Sequence, residues 1–295
     1  GFFIFLSASL SLLLRENIDL SFVIVKQILI GGGVGFVGLL LASRIDYKLY
    51  RKYAFYIFLG TIILNLLVFI PGVGFEHGGS TRWIALGSFT FQPSEFLRIG
   101  AVIYFAMWLA SIKDKVTTIK YGFIPLCIIF AITEGILLLQ RDTDIVIAAT
   151  LVGMFFVAGG KFKHLAILFL TLLIGVVILL FTRPYVLDRF TTFLDPSQDP
   201  LGAGYQIQQS TLAIGAGGFW GRGFGQSIQK FGFLPEPAGD SIFAVQAEEF
   251  GFIGSFLLCL TFICWAARGL KIASNAKESF GGLLALGIVL IIIVQ

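Results

Sequence analysis

The chain has 295 residues, of which 57% are hydrophobic and only 13% charged, with a formal net charge of +4. A soluble domain carries about 25% charged residues to wet its surface, so a water-soluble globular protein is excluded. So small a net charge on so few groups also gives no reason to expect a nucleic-acid partner. The bare surface is wetted by lipid, to which the 32 phenylalanines can be exposed without cost.

A helix that crosses a bilayer needs about 20 apolar residues. In chain order this length predicts helices over Gly1–Leu14, Ser21–Ala42, Tyr53–Ile70, Glu95–Ser111 and Tyr121–Leu139. Asp144–Ala158, His164–Thr182, Ile242–Ala267 and Phe280–Gln295 follow. The fold class is therefore an all-α polytopic membrane protein of about nine spans, with residues 1–295 forming one transmembrane domain. The first and last runs are cut off while still apolar, so further residues are expected beyond Gly1 and Gln295. The first run also lacks the charged flank of a signal peptide.

Lysine and arginine collect in every second loop: Arg44, Lys48, Arg51 and Lys52; Lys113, Lys115 and Lys120; Lys161 and Lys163; Arg268, Lys271 and Lys277. Such loops face the cytoplasm. The opposite face holds the two long connections, 71–94 and the larger 183–241. Long irregular connections in a compact protein are usually functional. The larger one contains an amphipathic stretch, Tyr205–Ile214, then a glycine-rich run from Gly215 to Gly225. That run is open to two readings, a flexible surface loop or backbone donors for a phosphate, with Arg222 and Lys230 supplying charge nearby.

Several patterns carry no chemistry. Gly33–Gly38 matches a dinucleotide fingerprint but lies mid-span with no strand before it, so helix packing through Gly31 and Gly35 accounts for it better. Cys127, Cys259 and Cys264 sit in apolar runs as small hydrophobes. His77 and His164 fall on opposite faces, and no Ser-His-Asp set, P-loop or metal-ligand spacing is present.

Acidic residues near a membrane are costly and usually have a task. Asp142 and Asp144 mark the outer turn between the fifth and sixth predicted spans, and Glu134 lies about 9 Å inward of the start of that turn at 1.5 Å per residue. Asp240 ends the large loop, with Glu248 and Glu249 below it. At about 100° per residue Glu248 falls about 80° from Asp240 and Glu249 on the opposite side, so the two glutamates are expected to do different jobs. Arg82 and Trp83 lie among turn residues of the outer face, as an interfacial anchor or as ligand contacts.

The segments Gly79-Ser-Thr-Arg-Trp-Ile-Ala-Leu-Gly87 and Phe91-Gln-Pro-Ser-Glu-Phe96 bring a family into view. So do Phe193-Leu-Asp-Pro-Ser-Gln-Asp-Pro-Leu-Gly-Ala-Gly-Tyr-Gln206, Leu234-Pro-Glu-Pro-Ala-Gly-Asp240 and Glu248-Glu-Phe-Gly251. Over essentially the whole chain these resemble the SEDS proteins (shape, elongation, division, sporulation), the FtsW/RodA/SpoVE group, and more closely its FtsW branch. The resemblance implies ten spans and a large outer loop between the seventh and eighth. It also implies polymerisation of lipid II into glycan strands, with release of undecaprenyl diphosphate, in the bacterial cytoplasmic membrane.

Further implications are a class B penicillin-binding protein (a transpeptidase) and other division proteins as partners, and a catalytic aspartate that falls on Asp240. The chain departs from the family pattern at Thr81, where a second arginine is usual, in the turn Gln140-Arg-Asp-Thr-Asp-Ile145, and at Ser241. A carboxylate at 240 suits the removal of a proton from an attacking hydroxyl, and Arg82, Arg222 and Lys230 suit the growing charge of a diphosphate. Glu248, Glu249, Asp142 and Trp83 complete the expected substrate contacts. No cofactor is required; a divalent cation such as Mg²⁺ could share the diphosphate charge. A lipid II flippase and a non-enzymatic division scaffold are the rival readings.

Overall fold

The computed structural model describes residues 2–16, 27–77, 80–86, 89–140, 144–182 and 203–295. In chain order the helices are α1 (Phe2–Glu16), α2 (Gly35–Arg44, entered through a wide helical turn over Gln27–Val34), α3 (Tyr47–Leu66), α4 (Pro93–Ile112) and α5 (Ile124–Leu139). They continue with α6 (Ile145–Val157), α7 (Phe162–Thr182), α8 (Ala203–Gly217), α9 (Ile242–Ser274) and α10 (Ser279–Val294). Every run predicted to span holds a helix where it is described, and the amphipathic stretch of the large loop is α8. Among the described residues, helical segments Tyr47–Phe69, Pro93–Lys115, Ile119–Leu139 and Ile242–Ser274 are long and apolar enough to cross a bilayer. Shorter apolar helices lie at Gly31–Arg44, Ile145–Val157, Phe162–Gly175 and Ser279–Val294. The chain is a multi-pass membrane protein.

The chain divides into two compact units. One comprises Gly1–Arg44 and Ile174–Ile263, the other Ile45–Leu173 and Cys264–Gln295. In the second unit α4 is the central element. Its Leu97, Phe105 and Leu109 meet Phe58 of α3, Leu126 and Leu137 of α5, Met154 and Phe155 of α6, and Phe280 of α10. Pro93 opens α4 where a missing N–H costs nothing, and Asp46 and Asp144 cap α3 and α6 by accepting from Lys48 N and Val146 N.

Lipid tails are as apolar as leucine, so helices in a bilayer associate through close packing, which small residues permit. Here a Cβ on Gly100 would lie 2.5 Å from Thr61 Oγ1, and one on Gly287 would lie 2.4 Å from Val102 Cγ1 and 2.8 Å from Met154 Sδ.

The connection after α3 departs from an all-helical reading. It forms an antiparallel sheet, β1 (Gly74–His77), β2 (Ser80–Leu86) and β3 (Phe89–Phe91), in that order. Strands this short show too little alternation to be recognised beside turn residues, yet their β-branched and aromatic residues suit a pleated surface.

In the first unit a small core joins Ala8 of α1, Ala213 of α8, Leu234 of the following loop, and Ala244 and Val245 of α9. It anchors the loop between α8 and α9. The close packing in the second unit gives a test: Gly287→Val should destabilise the fold by about 1–3 kcal/mol through overpacking. The check is a lowered thermal midpoint in detergent, beside an unchanged one for Ile293→Val on the exposed side of α10.

Candidate functional site

The site grows from one break in a helix. Gly251, in the middle of α9, has φ 64° and ψ −163°, a conformation that a residue with a Cβ does not readily adopt. The break frees backbone groups, and in a membrane protein such groups must find partners within the protein. The glycine-rich run supplies them. Arg222 N donates to Glu248 O at 3.0 Å and Gly223 N to Glu249 O at 2.9 Å. In the other direction Phe252 N donates to Gly218 O at 2.9 Å and Ile253 N to Phe219 O at 3.3 Å.

Backbone lies so close to backbone that a Cβ on Gly217 would come within 2.1 Å of Ala247 O, and one on Gly221 within 2.2 Å of Glu249 O. The run is therefore not a free surface loop. The N–H groups of Arg222 and Gly223 that a phosphate cradle would use are spent on the broken helix.

The two glutamates below the loop hold it through different, neighbouring residues. Glu248 is fully buried and gathers the loop: its carboxylate accepts from Ser227 Oγ (2.6 Å), Ile228 N (3.1 Å) and Gln229 N (3.3 Å). Arg222 Nε stands 3.4 Å from Glu248 Oε1. Glu249, 1% exposed, pairs with Lys230, which is 0% exposed. Lys230 Nζ donates to Glu249 Oε1 at 2.7 Å, to Ser7 Oγ at 2.8 Å and to Gly225 O at 3.0 Å. Ser7 in turn donates to Glu249 Oε1 at 2.5 Å, so α1, the loop and α9 meet at one buried charge pair.

This corrects the expectation of Lys230 as an open cation for a diphosphate. The three N–H bonds of its ammonium are all used inside the protein. Glu248 and Glu249 likewise hold the loop, and neither lies on an exposed surface.

Asp240 stands apart from this network. The loop reaches it through buried Leu234 and through a turn at Glu236, whose O accepts from Gly239 N and Ser241 N, both at 3.1 Å. Glu236 has φ 45°. The helix N-terminus is served by Ser241, whose O accepts from Ala244 N and Val245 N and whose Oγ accepts from Gln206 Nε2 of α8 at 3.2 Å. Asp240 is exposed, and among the described residues its carboxylate has no hydrogen bond, ion pair or capping contact. It is an accessible carboxylate, as is that of Glu236 earlier in the loop. Arg222 lies in the same unit with 38% of its side chain exposed, held at Nε by Ala216 O at 3.4 Å.

In the second unit Arg82 and Trp83 are on strand β2, not in a turn. Phe75 pairs with Trp83 and Glu76 with Thr81, so Arg82 is the extra residue of a bulge. A bulge breaks the alternation of a strand and re-aims a side chain. Both residues are half-buried.

Asp142 lies outside the described residues. Asp144 caps α6 and accepts from Arg98 Nε at 2.6 Å, while Arg98 Nη1 also donates to Glu95 at 2.8 and 2.9 Å. Beside them Asn65 Nδ2 donates to Pro93 O at 3.0 Å and Gln140 Nε2 to Asn65 O at 3.1 Å. Sequence reasoning missed Arg98 and Ser7. The signal for Arg98 was a lone arginine inside an apolar run, three residues after Glu95; a serine such as Ser7 carries none. Among the described residues no three His, Cys, Asp or Glu side chains come together as a metal site.

The family model for cell cycle proteins of the FtsW, RodA and SpoVE type matches residues 1–295. The chain is 41% identical over 261 residues to the probable peptidoglycan glycosyltransferase FtsW of Geobacter sp. strain M18, covering 88% of this chain and 71% of that protein. It is 39% identical over 279 residues to the stage V sporulation protein E of Bacillus subtilis strain 168, covering 94% and 76%. Its fold is similar to that of a chain solved in a study of how a peptidoglycan synthase complex coordinates polymerization and crosslinking, with TM-score 0.77, 22% identity, and coverage of 100% of this chain and 83% of that one. The rod shape determining protein RodA of Thermus thermophilus gives TM-score 0.60 at 22% identity, with coverage of 89% and 70%.

The buried pair gives the test of this geometry. Glu249→Ala leaves Lys230 charged and unpaired and should cost about 3–5 kcal/mol of stability. Adding Lys230→Met removes the orphaned charge and should restore much of that loss. Denaturant or thermal unfolding of the two single variants and the double variant reads the coupling; strictly additive losses would contradict it.

Proposed function

The chain belongs to the FtsW, RodA and SpoVE family of cell cycle proteins, and on that footing we propose that it is a peptidoglycan glycosyltransferase polymerising lipid II at the outer face of the bacterial cytoplasmic membrane during division. The observation that supports the chemistry is the carboxylate of Asp240, exposed where the loop meets α9 and, among the described residues, without a hydrogen bond or ion pair, whereas Glu248 and Glu249 within α9 are buried and engaged.

In the reaction a sugar 4-hydroxyl attacks the anomeric carbon of a second lipid-linked sugar. The new glycosidic C–O bond forms as the bond to the lipid diphosphate breaks. The hydroxyl proton passes to Asp240 as general base, and undecaprenyl diphosphate leaves with the electron pair. Asp240 suits this role because, among the described residues, no donor competes for its oxygens. Charge growing on the diphosphate is met by cations aimed at it. Arg222 is an exposed cation in the unit of Asp240, and Arg82 is a second proposed contact, carried over from the sequence reading. Lys230 acts at one remove by holding the loop. A divalent cation such as Mg²⁺ carried by the diphosphate would share the charge.

The partner we propose is a class B penicillin-binding protein with its transpeptidase activity, in company with other division proteins. The similarity in fold to a chain of a peptidoglycan synthase complex supports it. So do the exposed rings of Phe219, Trp220 and Phe224 in the loop, which a membrane-anchored partner would cover.

One observation favours the flippase reading. Transporters build substrate sites from discontinuous helices whose free half-helix ends meet the substrate, and α9 is interrupted at Gly251. Here, however, the carbonyls of Glu248 and Glu249 are already taken by the loop. Polymerisation of lipid II in detergent, where flipping has no meaning, separates the two.

Asp240→Asn keeps the shape and removes the proton acceptor, so glycan polymerisation by the purified complex should fall by about 10²–10⁴-fold, with expression and lipid II binding retained. A wild-type rate would remove Asp240 from catalysis. Arg82→Ala should weaken polymerisation by about 1.5–3 kcal/mol, the worth of a charged hydrogen bond. Unchanged kinetics in the folded variant would return Arg82 to an anchoring role.

A further inference from the structure

At the end of the second unit that carries the basic loops, α9, α10 and the start of α3 enclose an open cleft of about 710 Å³. Arg268, Lys271 and Lys277 line it, together with Tyr47, Asn275 and an apolar wall that includes Ala285 and Ile288. None of the three cations has an ion pair or a side-chain hydrogen bond among the described residues. The nearby acid, Glu278, is engaged by Lys48 at 3.3 Å. Gly281 leaves room for the Tyr47 ring, which a Cβ there would meet at 3.3 Å, and that ring stacks on Phe280. A tyrosine rim, unpaired cations and an apolar floor thus occur together. The neighbouring cleft of about 690 Å³ shares Lys277 but also holds Asp114 and Glu278, whereas no acid lines the first.

We propose that this cleft binds an anionic phospholipid of the cytoplasmic leaflet. The phosphate is met by Arg268, Lys271 and Lys277, and an acyl chain runs along the wall at Ala285 and Ile288. The distribution of lysine and arginine puts this end at the cytoplasmic surface, where anionic headgroups and basic pockets between helices meet. Charge complementarity selects the headgroup, since three unpaired cations without an acid between them favour an anionic lipid over a zwitterionic one. The apolar wall selects a lipid over a free phosphate. The inference does not depend on the glycosyltransferase reading.

The test is native mass spectrometry of the full-length protein released from bilayers of equal phosphatidylglycerol and phosphatidylcholine with identical acyl chains. Wild-type protein should retain phosphatidylglycerol in excess, and millimolar inorganic phosphate should not displace it. Each cation near an anionic surface contributes about fivefold, so the triple variant Arg268→Gln/Lys271→Gln/Lys277→Gln should lose the enrichment. Lys113→Gln/Lys115→Gln/Lys120→Gln, on another basic loop, should keep it.

Ala285→Trp fills the cleft without touching charge and should lose the lipid as well. Lys271→Gln alone, at an exposed position, should show about a fivefold drop even if the triple variant does not fold. The proposal is overturned by equal retention of the two lipids in the wild type, the result expected if another segment of the chain fills the cleft. Equal losses in both triple variants, displacement by inorganic phosphate, or full enrichment in Ala285→Trp would also overturn it.

Discussion

A helix that breaks inside a membrane protein leaves backbone donors and acceptors that neither lipid nor a neighbouring apolar side chain can satisfy. Around Gly251 this requirement organises the first unit. The loop over 218–223 lies against the broken segment and exchanges backbone hydrogen bonds with it in both directions. That contact in turn demands glycine at 217 and 221, where any Cβ would strike a carbonyl. Once the backbone strip is docked, Glu248 can reach Ser227, Ile228 and Gln229, and Glu249 can reach Lys230. The loop that ends at Asp240 is therefore held from below by hydrogen bonds of defined direction, whereas apolar packing alone would let it slide.

The second unit solves the same problem of polar groups in lipid with side chains. Arg98 bridges Glu95 on its own helix and Asp144 at the cap of α6, and Asn65 and Gln140 carry hydrogen bonds between α3, α4 and the end of α5. These groups cluster at the helix ends near the sheet, while the middle of the unit is the apolar packing of α4 against its neighbours. Polar chemistry at one end and close packing below it leave the basic end of the unit open, and the cationic cleft lies there.

Helix positions were legible in the sequence because a span of lipid imposes a length that no composition can disguise, and the basic loops followed the same alternation. That Glu248 and Glu249 would both be turned inward onto residues 227–230 of one loop was not legible, since a helical step of about 100° points adjacent residues apart. What escaped were the relations set by backbone and by tertiary contact. The break at Gly251 reads in sequence as one more glycine in an apolar run, and the docking of residues 218–223 on it has no residue pattern of its own. Lys230 looked like an open cation because its partners, Ser7 and Glu249, lie 223 and 19 residues away. The sheet was hidden by strands of three to seven residues bordered by turn formers.

Within the first unit, the charged groups sort by what they are asked to do. Burial makes a charge expensive unless it is paired and hydrogen-bonded, so Glu248, Glu249 and Lys230 are useful inside only as fixed points. Their worth lies in setting where the loop sits. A proton acceptor has the opposite need: it must reach substrate with an oxygen that no protein donor has claimed. Among the described residues Asp240 meets that need, because Ser241, one residue on, serves the start of α9 and its link to α8. The helix cap and the candidate base are thus adjacent but separate residues. The loop is held on both sides of position 240 while, among the described residues, the carboxylate there accepts no bond, and this is the division the proposed base requires.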